Sequence, residues 1–321
     1  MSTRRQFLSR SALAGGALAM SRAASAAAPE APPSDRKART ASAKKGFWPG
    51  GARLAISLSL QFESGAQPER GASSPFPPID AKYPDLPAAT WYEYGVREGI
   101  PRLLEMLGRR GVQVTSHMVG QAVERHPALA KEIVERGHEA AAHGQTWTPQ
   151  FSMTPEEERA SYEANVRVIQ RATGQTPVGF NAFWMRGTPR TLELLQDLGF
   201  LYHIDDVSRD EPFVVDVRGR PFAVVPYTLG MNDIVNYESR NYTAEQFASE
   251  LKNEFDALYA EAGERRRMMS ISMHDRISGR PGRVKVLEEF IRYAQRQPGV
   301  WFARKDALAR WTLEQATSPA P

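Results

Sequence analysis

Short apolar runs alternate with amphipathic segments along most of the chain from Arg53 onward. Leu54, Ile56, Leu58 and Leu60 alternate with small or polar residues, which is the period of two expected of a strand. Similar runs lie at 112–119, 137–143, 178–182, 200–205, 222–227, 268–274 and 300–304. Strands that alternate with helices indicate repeated β-α units and a mainly parallel sheet. The pattern therefore predicts an α/β fold, a single-domain (β/α)7-8 barrel of distorted TIM type, either closed or incomplete.

Three sequence signals predict where helices begin. Residues 154–157 (Thr-Pro-Glu-Glu) form a capping box with proline at the first helical position, so a helix should run from there towards Thr173. Thr188, followed by proline, predicts a second helix start. Thr243 and Gln246 repeat the capping pattern. The helix after Thr243 should pack one apolar face on the sheet, formed by Phe247, Leu251, Phe255 and Leu258.

The first residues of the chain have the pattern of an export signal. A pair of arginines, Arg4 and Arg5, precedes a weakly apolar run over 12–20 and a small-residue cleavage pattern at 24–26. We expect residues 1–26 to be a twin-arginine signal peptide, since the apolar run is too short for a permanent membrane helix. The protein should then be periplasmic or secreted, with no membrane anchor after processing.

Domain boundaries follow from composition. Residues 27–46 are rich in Ala, Pro, Ser and Lys without apolar periodicity, which is typical of a disordered linker. The barrel domain is expected over 47–315, with a short tail at 316–321.

Charge and cysteine content exclude several functions. The predicted signal contains four arginines and no acidic residue, so its removal takes the formal net charge from +4 to zero. No basic stripe with interleaved aromatic residues is left, which argues against nucleic-acid binding. The chain has no cysteine, so thiolate catalysis and thiolate metal sites are excluded.

Polar residues stand where the predicted strands end. In α/β barrels the chemistry lies at the carboxyl ends of the strands. The polar strand ends here are 61–65, His143, 205–206, 232–233 and 274–276. Closure of a barrel would bring them to one rim, although they span more than two hundred residues of sequence.

At these strand ends the chain resembles the polysaccharide deacetylase family (the NodB homology domain), and within it an allantoinase-like branch. The resemblance covers about residues 50–312. The matching segments are Phe62-Glu63-Ser64-Gly65, Tyr92-Glu93-Tyr94-Gly95 with Arg97 and Gly99, Gly137-His138-Glu139, His143-Gly144 with Trp147, Pro226-Tyr227 with Asn232-Asp233, Met268-Met269-Ser270-Ile271, and His274 with Arg276, Gly279, Arg280 and Pro281.

The resemblance also shows a departure from the family's metal site. In metal-dependent members the first motif has two aspartates, one acting as base and the other as metal ligand; here those positions hold Glu63 and Ser64. The family's two metal-binding histidines fall on His143 and Trp147. A divalent ion needs about four donors, so we expect metal-independent chemistry and no cofactor. The alternative is one divalent ion such as zinc, with His143 among its ligands.

Other histidines are poor replacements for the missing ligands. His138 lies five residues before His143, and an odd spacing along a strand points the two side chains to opposite faces. His117 and His203 fall in core strands, where a histidine is expected to be a hydrogen-bonded packing residue.

Three residues are the candidate catalytic groups. Glu63 is the candidate base, because burial would raise the pKa of its carboxyl; the alternative is a structural carboxylate. His274 is the candidate general acid, a role that the resemblance implies; the alternative is a packing histidine. His143 is expected to orient the water or polarise the carbonyl.

Several polar or aromatic residues are candidates for substrate binding. Arg186 and Arg276, expected on loops after strands, could hold a carboxylate or ureide oxygen, or form ion pairs between loops. Trp147 could stack on a sugar ring or flat heterocycle, or fill the space of the absent metal. Asn232 and Asp233 are candidate substrate-binding, supporting or turn residues.

These residues predict a hydrolase of carbon–nitrogen bonds other than peptide bonds. Two substrates are left open, an N-acetylated sugar polymer and a small cyclic ureide or imide. A third reading is a catalytically silent barrel that binds glycan or ureide. A closed pocket capped by residues 66–95 would favour the small ring, and a long groove the polymer. Self-association is expected from the resemblance alone.

Overall fold

The computed structural model describes residues 46–80 and 82–317. The predicted signal peptide, and the predicted linker up to residue 45, lie outside the described residues. Within the described residues nine strands form one sheet: β1 (Leu54–Phe62), β2 (Thr115–Met118), β3 (Glu139–Ala142), β4 (Gly179–Phe180), β5 (Tyr202–His203), β6 (Phe213–Val217), β7 (Arg220–Val224), β8 (Met268–His274) and β9 (Val300–Phe302).

Helices lie between the strands in most of the β-α units that the sequence predicts. They are α1 (Leu86–Tyr94), α2 (Ile100–Arg110), α3 (Gly120–Arg125), α4 (Pro127–Glu135), α5 (Pro155–Thr173), α6 (Thr191–Asp197), α7 (Ala244–Glu261), α8 (Asp275–Ser278), α9 (Pro281–Gln295) and α10 (Lys305–Thr317). A π-helical turn over Gly95–Gly99 joins α1 to α2, and another spans Ile234–Ser239.

The sheet is a curled, incomplete barrel. Its strand order is β6-β7-β5-β4-β3-β2-β1-β8, and β9 pairs with the first residues of β1. All pairings are parallel except β6 with β7. The path ends at β6 and β8, and an isolated bridge between Asn232 and Ser272 lies outside the named strand pairs. The predicted α/β barrel is therefore confirmed in its incomplete form.

The two faces of β1 show why the sequence folds this way. Leu58 and Leu60 belong to the large core cluster that includes the apolar faces of α2, α7 and α9. The alternate side chains, Ser57, Ser59 and Gln61, lie on the opposite face because successive side chains of a strand alternate. That face also ends at Glu63, so the polar side chains of β1 lead to the carboxyl end of the strand.

Two of the three predicted helix starts are confirmed. α5 and α7 each begin with a complete capping box, and the four apolar residues predicted for α7 are buried. The start predicted at Thr188 is wrong, because α6 begins at Thr191. The hydroxyl of Thr188 donates to the buried Glu158 and accepts from the backbone N–H of Arg190, which holds these residues in a turn.

The last helix extends two residues beyond position 315, where the barrel domain was predicted to end. α10 continues to Thr317, whose hydroxyl donates to the carbonyl of Leu313 one turn earlier. Residues 318–321 of the predicted tail lie outside the described part of the chain. Within residues 46–80 and 82–317, no helix combines the length and apolarity needed to span a membrane.

Candidate active site

Three ionisable side chains meet where β1, β3 and β8 end. Oε1 of Glu63 lies 3.5 Å from Nε2 of His143 and 3.7 Å from Nε2 of His274. All three residues are buried, with 5–6% of their surface exposed. The structure thus brings together the three residues that the sequence proposes as catalytic. Their chemical roles stay predictions.

His274 is held by a fully buried carboxylate. Its Nδ1 lies 2.6 Å from Oδ1 of Asp233, and its backbone N–H donates to Oδ2 of the same side chain. The backbone N–H and the hydroxyl of Ser278 also donate to this Oδ2. With Nδ1 engaged, the free ring nitrogen Nε2 is fixed towards Glu63. Asp233 therefore orients His274, and the substrate contact predicted for it does not fit its burial.

His143 is oriented by a backbone carbonyl. Its Nδ1 lies 2.7 Å from the carbonyl oxygen of Asn181, which can only accept a hydrogen bond, so Nδ1 carries the proton. Its backbone N–H donates to Oδ1 of Asn165, a buried residue of α5. Nε2 is then the ring nitrogen that faces Glu63. In both histidines a contact at Nδ1 therefore fixes the orientation of the ring, with Nε2 towards Glu63.

The expected pKa of Glu63 is wrong in direction. Burial raises the pKa of this carboxyl, but the charges of His274 and Arg276 outweigh burial and hold the pKa well below its usual range. Glu63 is therefore ionised throughout the neutral range. Its charge is balanced within the site.

His274 shifts in the opposite direction. Desolvation lowers the pKa of its imidazole, but the charges of Asp233 and Glu63 outweigh desolvation and raise it above the ordinary value. The protonated form is thus favoured. A protonated imidazole next to an ionised carboxylate is a matched acid and base pair.

Arg276 was expected on a loop, but it lies in α8. Its Nη1 donates to Oε2 of Glu63 at 2.8 Å and lies 3.3 Å from Oδ1 of Asp275. Only 1% of Arg276 is exposed. Because the carboxylates of the chain itself occupy this side of the guanidinium, the predicted hold on a substrate carboxylate does not fit its contacts.

Asn232 and Arg186 lie outside the catalytic contacts. Asn232 is buried, and its Oδ1 accepts from the backbone N–H of Ile234, so it is a turn residue, one of the roles foreseen for it. Arg186 is exposed on a loop, as predicted, with its guanidinium carbon 6.0 Å from the ring centre of Trp184. Its substrate contact stays a prediction.

A wall of aromatic rings flanks the site. Trp147 packs edge to face on Tyr92 at 5.4 Å and on Phe183 at 5.9 Å, and Phe183 lies 4.8 Å from Trp184. Trp184 is 63% exposed, and its φ of 52° is a strained conformation for a bulky residue. The wall therefore leads from the buried site to an exposed ring at the surface.

The donors do not fit the metal site of the family. The position of Ser64 contributes a hydroxyl that is buried without a protein partner among the described residues, and Trp147 contributes an apolar ring. Of the three ligand positions, His143 alone carries a usual metal donor. Within the described residues no group of three or more His, Asp or Glu side chains is arranged to hold a metal ion.

Three other histidines, His117, His138 and His203, do not contact Glu63 in this site. His138 accepts a hydrogen bond from the backbone N–H of Val114 through Nδ1, and His203 accepts one from the N–H of Asp205. These two are hydrogen-bonded packing residues. His117 is fully buried in β2, and neither ring nitrogen has a protein partner among the described residues, so the hydrogen-bonded role expected for it is wrong.

Two supporting residues were not identified from the sequence. Asp275 accepts hydrogen bonds from the backbone N–H groups of Glu63 and Ser64 through Oδ2, and so holds the end of β1. Asn165 was identifiable in principle, because it is a polar residue among the buried positions of α5. Its partner is a backbone N–H on another element, for which sequence carries no signal.

The segment after β1 folds over the edge of the site. The hydroxyl of Tyr92 donates to the carbonyl of Ser73, and Arg125 donates to the carbonyl of Gly65. A cavity of about 590 Å³ borders Gly65 and Arg125, but none of the three ionisable groups lines it. The three ionisable groups are buried and do not line this cavity.

Comparison with known proteins shows that the chain is similar to polysaccharide deacetylases. A family model described as polysaccharide deacetylase matches residues 82–203. A putative polysaccharide deacetylase of Schizosaccharomyces pombe is 27% identical over 298 residues, covering 83% of this chain and 92% of the relative. A peptidoglycan deacetylase of Helicobacter pylori is 32% identical over 136 residues, covering 42% of this chain and 46% of the relative.

Two solved structures are similar over most of their length. A probable polysaccharide deacetylase from Pseudomonas aeruginosa PAO1 is 34% identical with a TM-score of 0.78, covering 85% of this chain and 95% of that structure. A structure described as Puue allantoinase is 32% identical with a TM-score of 0.78, covering 85% of this chain and 94% of that structure.

Proposed function

We propose that this chain, which belongs to the polysaccharide deacetylase family and is a deacetylase-type hydrolase of carbon–nitrogen bonds other than peptide bonds, opens the ring of a small cyclic ureide or imide. The observation that carries the choice of substrate is the enclosure of the site. Glu63, His143 and His274 are each only 5–6% exposed. A polymer would have to pass flanking sugar units over these groups, whereas a small flat ring needs only a pocket.

Each group has a role in the proposed hydrolysis. Glu63 accepts a proton from water as the water oxygen bonds to the substrate carbonyl carbon. His143, whose Nδ1 carries the ring proton, accepts a hydrogen bond from this water through Nε2 and so orients it. As the C–N bond breaks, protonated His274 donates its Nε2 proton to the leaving nitrogen. The proton taken by Glu63 then returns to His274, 3.7 Å away, which restores both groups.

Glu63→Gln tests this assignment. The substitution keeps the shape but removes the base, so kcat should fall by about 10²- to 10⁴-fold. The assay is a panel of five- and six-membered cyclic ureides and imides together with N-acetylglucosamine oligomers. Glu69→Gln, an exposed residue of the neighbouring loop, is the matched control. Turnover by Glu63→Gln equal to that of the control would refute the assignment.

The second candidate substrate is an N-acetylated sugar polymer. The names of the Schizosaccharomyces pombe and Helicobacter pylori relatives favour it, and the exposed ring of Trp184 offers a surface on which a sugar could stack. The same panel separates the two candidates, because this reaction releases acetate and ring opening releases none.

Metal-independent chemistry is part of the proposal. It is supported by the side chains at the ligand positions, where Ser64 and Trp147 stand in place of the aspartate and the histidine of metal-dependent family members. Activity should survive dialysis against a chelator, and elemental analysis of the active protein should find zinc far below one equivalent. One bound zinc per chain that is required for turnover would overturn this part.

A further inference from the structure

Two buried carboxylates pair with the same nitrogen of one guanidinium. Glu63 and Asp275 are 5% and 0% exposed, and Nη1 of Arg276 lies 2.8 Å from an oxygen of the first and 3.3 Å from an oxygen of the second. Buried charges are tolerated only when they are paired and hydrogen-bonded. Arg276 therefore provides the charge that allows both acidic side chains to lie inside the site.

The guanidinium is fixed by aromatic rings as well as by ion pairs. Its central carbon lies 4.8 Å from the ring centre of Trp91, 4.6 Å from that of Tyr92 and 5.3 Å from that of Trp147. Aromatic faces attract a cation, and more strongly where water is excluded. Arg276 is thus a positive charge in a defined place, with the rings on one part of its surface and the carboxylates on another.

The guanidinium lies next to Ser64 and Trp147, the two positions at which the chain departs from the family's metal ligands. The ring of Trp147 contacts the guanidinium directly. The backbone N–H of Ser64 donates, at 2.8 Å, to the same Asp275 side chain that pairs with Arg276. The two positions that lack a metal ligand therefore lie next to the guanidinium of Arg276. In addition, Nε of Arg276 is buried without a protein acceptor among the described residues, so it is free to bind a water molecule.

We propose that Arg276 is the resident cation of this site, and that its guanidinium supplies the positive charge that a divalent ion supplies in metal-dependent members of the family. The inference rests on the proposed function for its catalytic meaning. Arg276 acts as a positioning residue: it holds Glu63 in place and ionised next to His143 and His274. Asp275 completes the arrangement as the second carboxylate at the same nitrogen, Nη1.

The decisive experiment rebuilds the ligand set with and without the guanidinium. The variant Ser64→Asp/Trp147→His is compared with the same variant carrying Arg276→Gln, and Co²⁺ binding is measured by calorimetry and absorption. Because a fixed positive charge nearby repels the ion, Co²⁺ should bind at least about tenfold more tightly when Arg276 is absent. Equal Co²⁺ affinity in both variants overturns the proposal. Since this readout needs no turnover, it stands even if the proposed function fails.

Chemical rescue tests the charge in the otherwise unaltered protein. Arg276→Ala should lose activity, and millimolar guanidinium should restore it at least about tenfold, whereas urea, a neutral molecule of similar shape, should not. If Arg276→Ala does not fold, the same two additives are compared for recovery of the circular dichroism spectrum. Equal effects of guanidinium and urea, or no effect of either, would contradict a role that depends on charge.

Discussion

At the scale of single residues, the properties of the site depend on charges that face each other over a few ångströms. Glu63 is buried deeply enough to lose its charge, yet His274 and Arg276 keep the pKa of its carboxyl low. His274 is buried deeply enough to lose its proton, yet Asp233 and Glu63 raise the pKa of its imidazole. Each group therefore keeps the charge that its burial would remove.

Asp233→Asn should expose this coupling in the pH profile. Without the carboxylate charge of Asp233, which raises it, the pKa of His274 should fall. As the proposed acid must be protonated, activity decreases as pH rises through that pKa, so the alkaline limb of kcat/KM should move to lower pH. Asp216→Asn, at an exposed strand position, serves as control. An unmoved alkaline limb would remove His274 from the role of acid.

The same substitution predicts how stability depends on pH. A histidine whose pKa is raised on folding contributes stability that is complete below its unfolded value and is lost as pH rises through the folded pKa. The free energy of unfolding of the unaltered protein should therefore exceed that of Asp233→Asn most clearly below pH 6.5. Chemical denaturation at a series of pH values measures the difference.

At the scale of elements, the π-helical turn Gly95–Gly99 packs against α8 without side chains between them. A Cβ atom at Gly99 would overlap the backbone carbonyl oxygen of Asp275, and one at Gly279 would overlap the backbone of Gly99. Backbone atoms cannot move aside as the end of a flexible side chain can. The close approach therefore sets the position of α8, and with it that of Arg276.

Gly99→Ala should consequently destabilise the fold by about 1–3 kcal/mol, since overpacking forces the backbone apart. It should also lower kcat, because α8 carries the guanidinium that pairs with Glu63. Gly108→Ala is the matched control: it lies in α2, and its Cβ would meet no atom within 4 Å. That control should be neutral or stabilising by up to about 1 kcal/mol. Similar melting temperatures for the two variants would contradict the packing argument.

α10 begins with a lysine inserted into the base of the barrel. Lys305 is fully buried, its Nζ lies 3.2 Å from the hydroxyl of Ser270, and burial lowers its pKa to about 7 although Glu139 opposes the shift. A lysine whose pKa is lowered on folding destabilises the folded state increasingly as the pH falls from 10.5, its ordinary pKa, towards 7. The charge at this position is therefore a cost to stability at neutral pH.

Lys305→Met should therefore stabilise the protein, because it removes an ammonium group whose charged form is disfavoured by burial. The gain should be larger at pH 6 than at pH 9.5, where the lysine of the unaltered protein is already neutral in the fold. Thermal unfolding at both values measures it, with the exposed Lys285→Met as control. A gain that is independent of pH would show that packing, not charge, is responsible.

The elements also show what sequence could predict. β1 was predictable because alternation follows from side-chain geometry. β6 was missed: it pairs antiparallel with β7 through a two-residue turn at Arg218 and Gly219, both with positive φ. Turns of this type usually contain Asn-Gly or Asp-Gly. Here an arginine occupies the first position, so the sequence does not have the usual pattern.

The candidate site was predictable only in part, for a related reason. Strand ends converge in a barrel, so Glu63, His143 and His274 could be grouped from their positions. The pairing of Arg276 with Glu63 depends on how α8 turns back after β8, a conformation set by close packing of Gly99 and Gly279. The low pKa of Glu63 depends on the charges of His274 and Arg276 together, and the contribution of Arg276 could not be derived from sequence.

At the scale of the whole molecule, the proposed export accounts for the basic character of the sequence. The formal net charge is +4, and the proposed signal over 1–26 contributes four arginines without any acidic residue. The protein that remains after cleavage would be neutral overall, which suits an enzyme that recognises a small uncharged amide better than a nucleic acid. We propose twin-arginine export on the basis of Arg4 and Arg5, the apolar run and the small residues at 24–26.

Arg4→Lys/Arg5→Lys should retain the charge and yet abolish export, because a twin-arginine signal is read as an address by its receptor and not as a charged anchor. Cell fractionation should then find the full-length chain in the cytoplasm, whereas the unaltered protein appears outside it, shortened by about 26 residues according to its intact mass. Arg22→Lys, within the same segment but away from the arginine pair, should be exported normally. Export of the double variant at the normal level would show that the arginine pair is not the address that directs export.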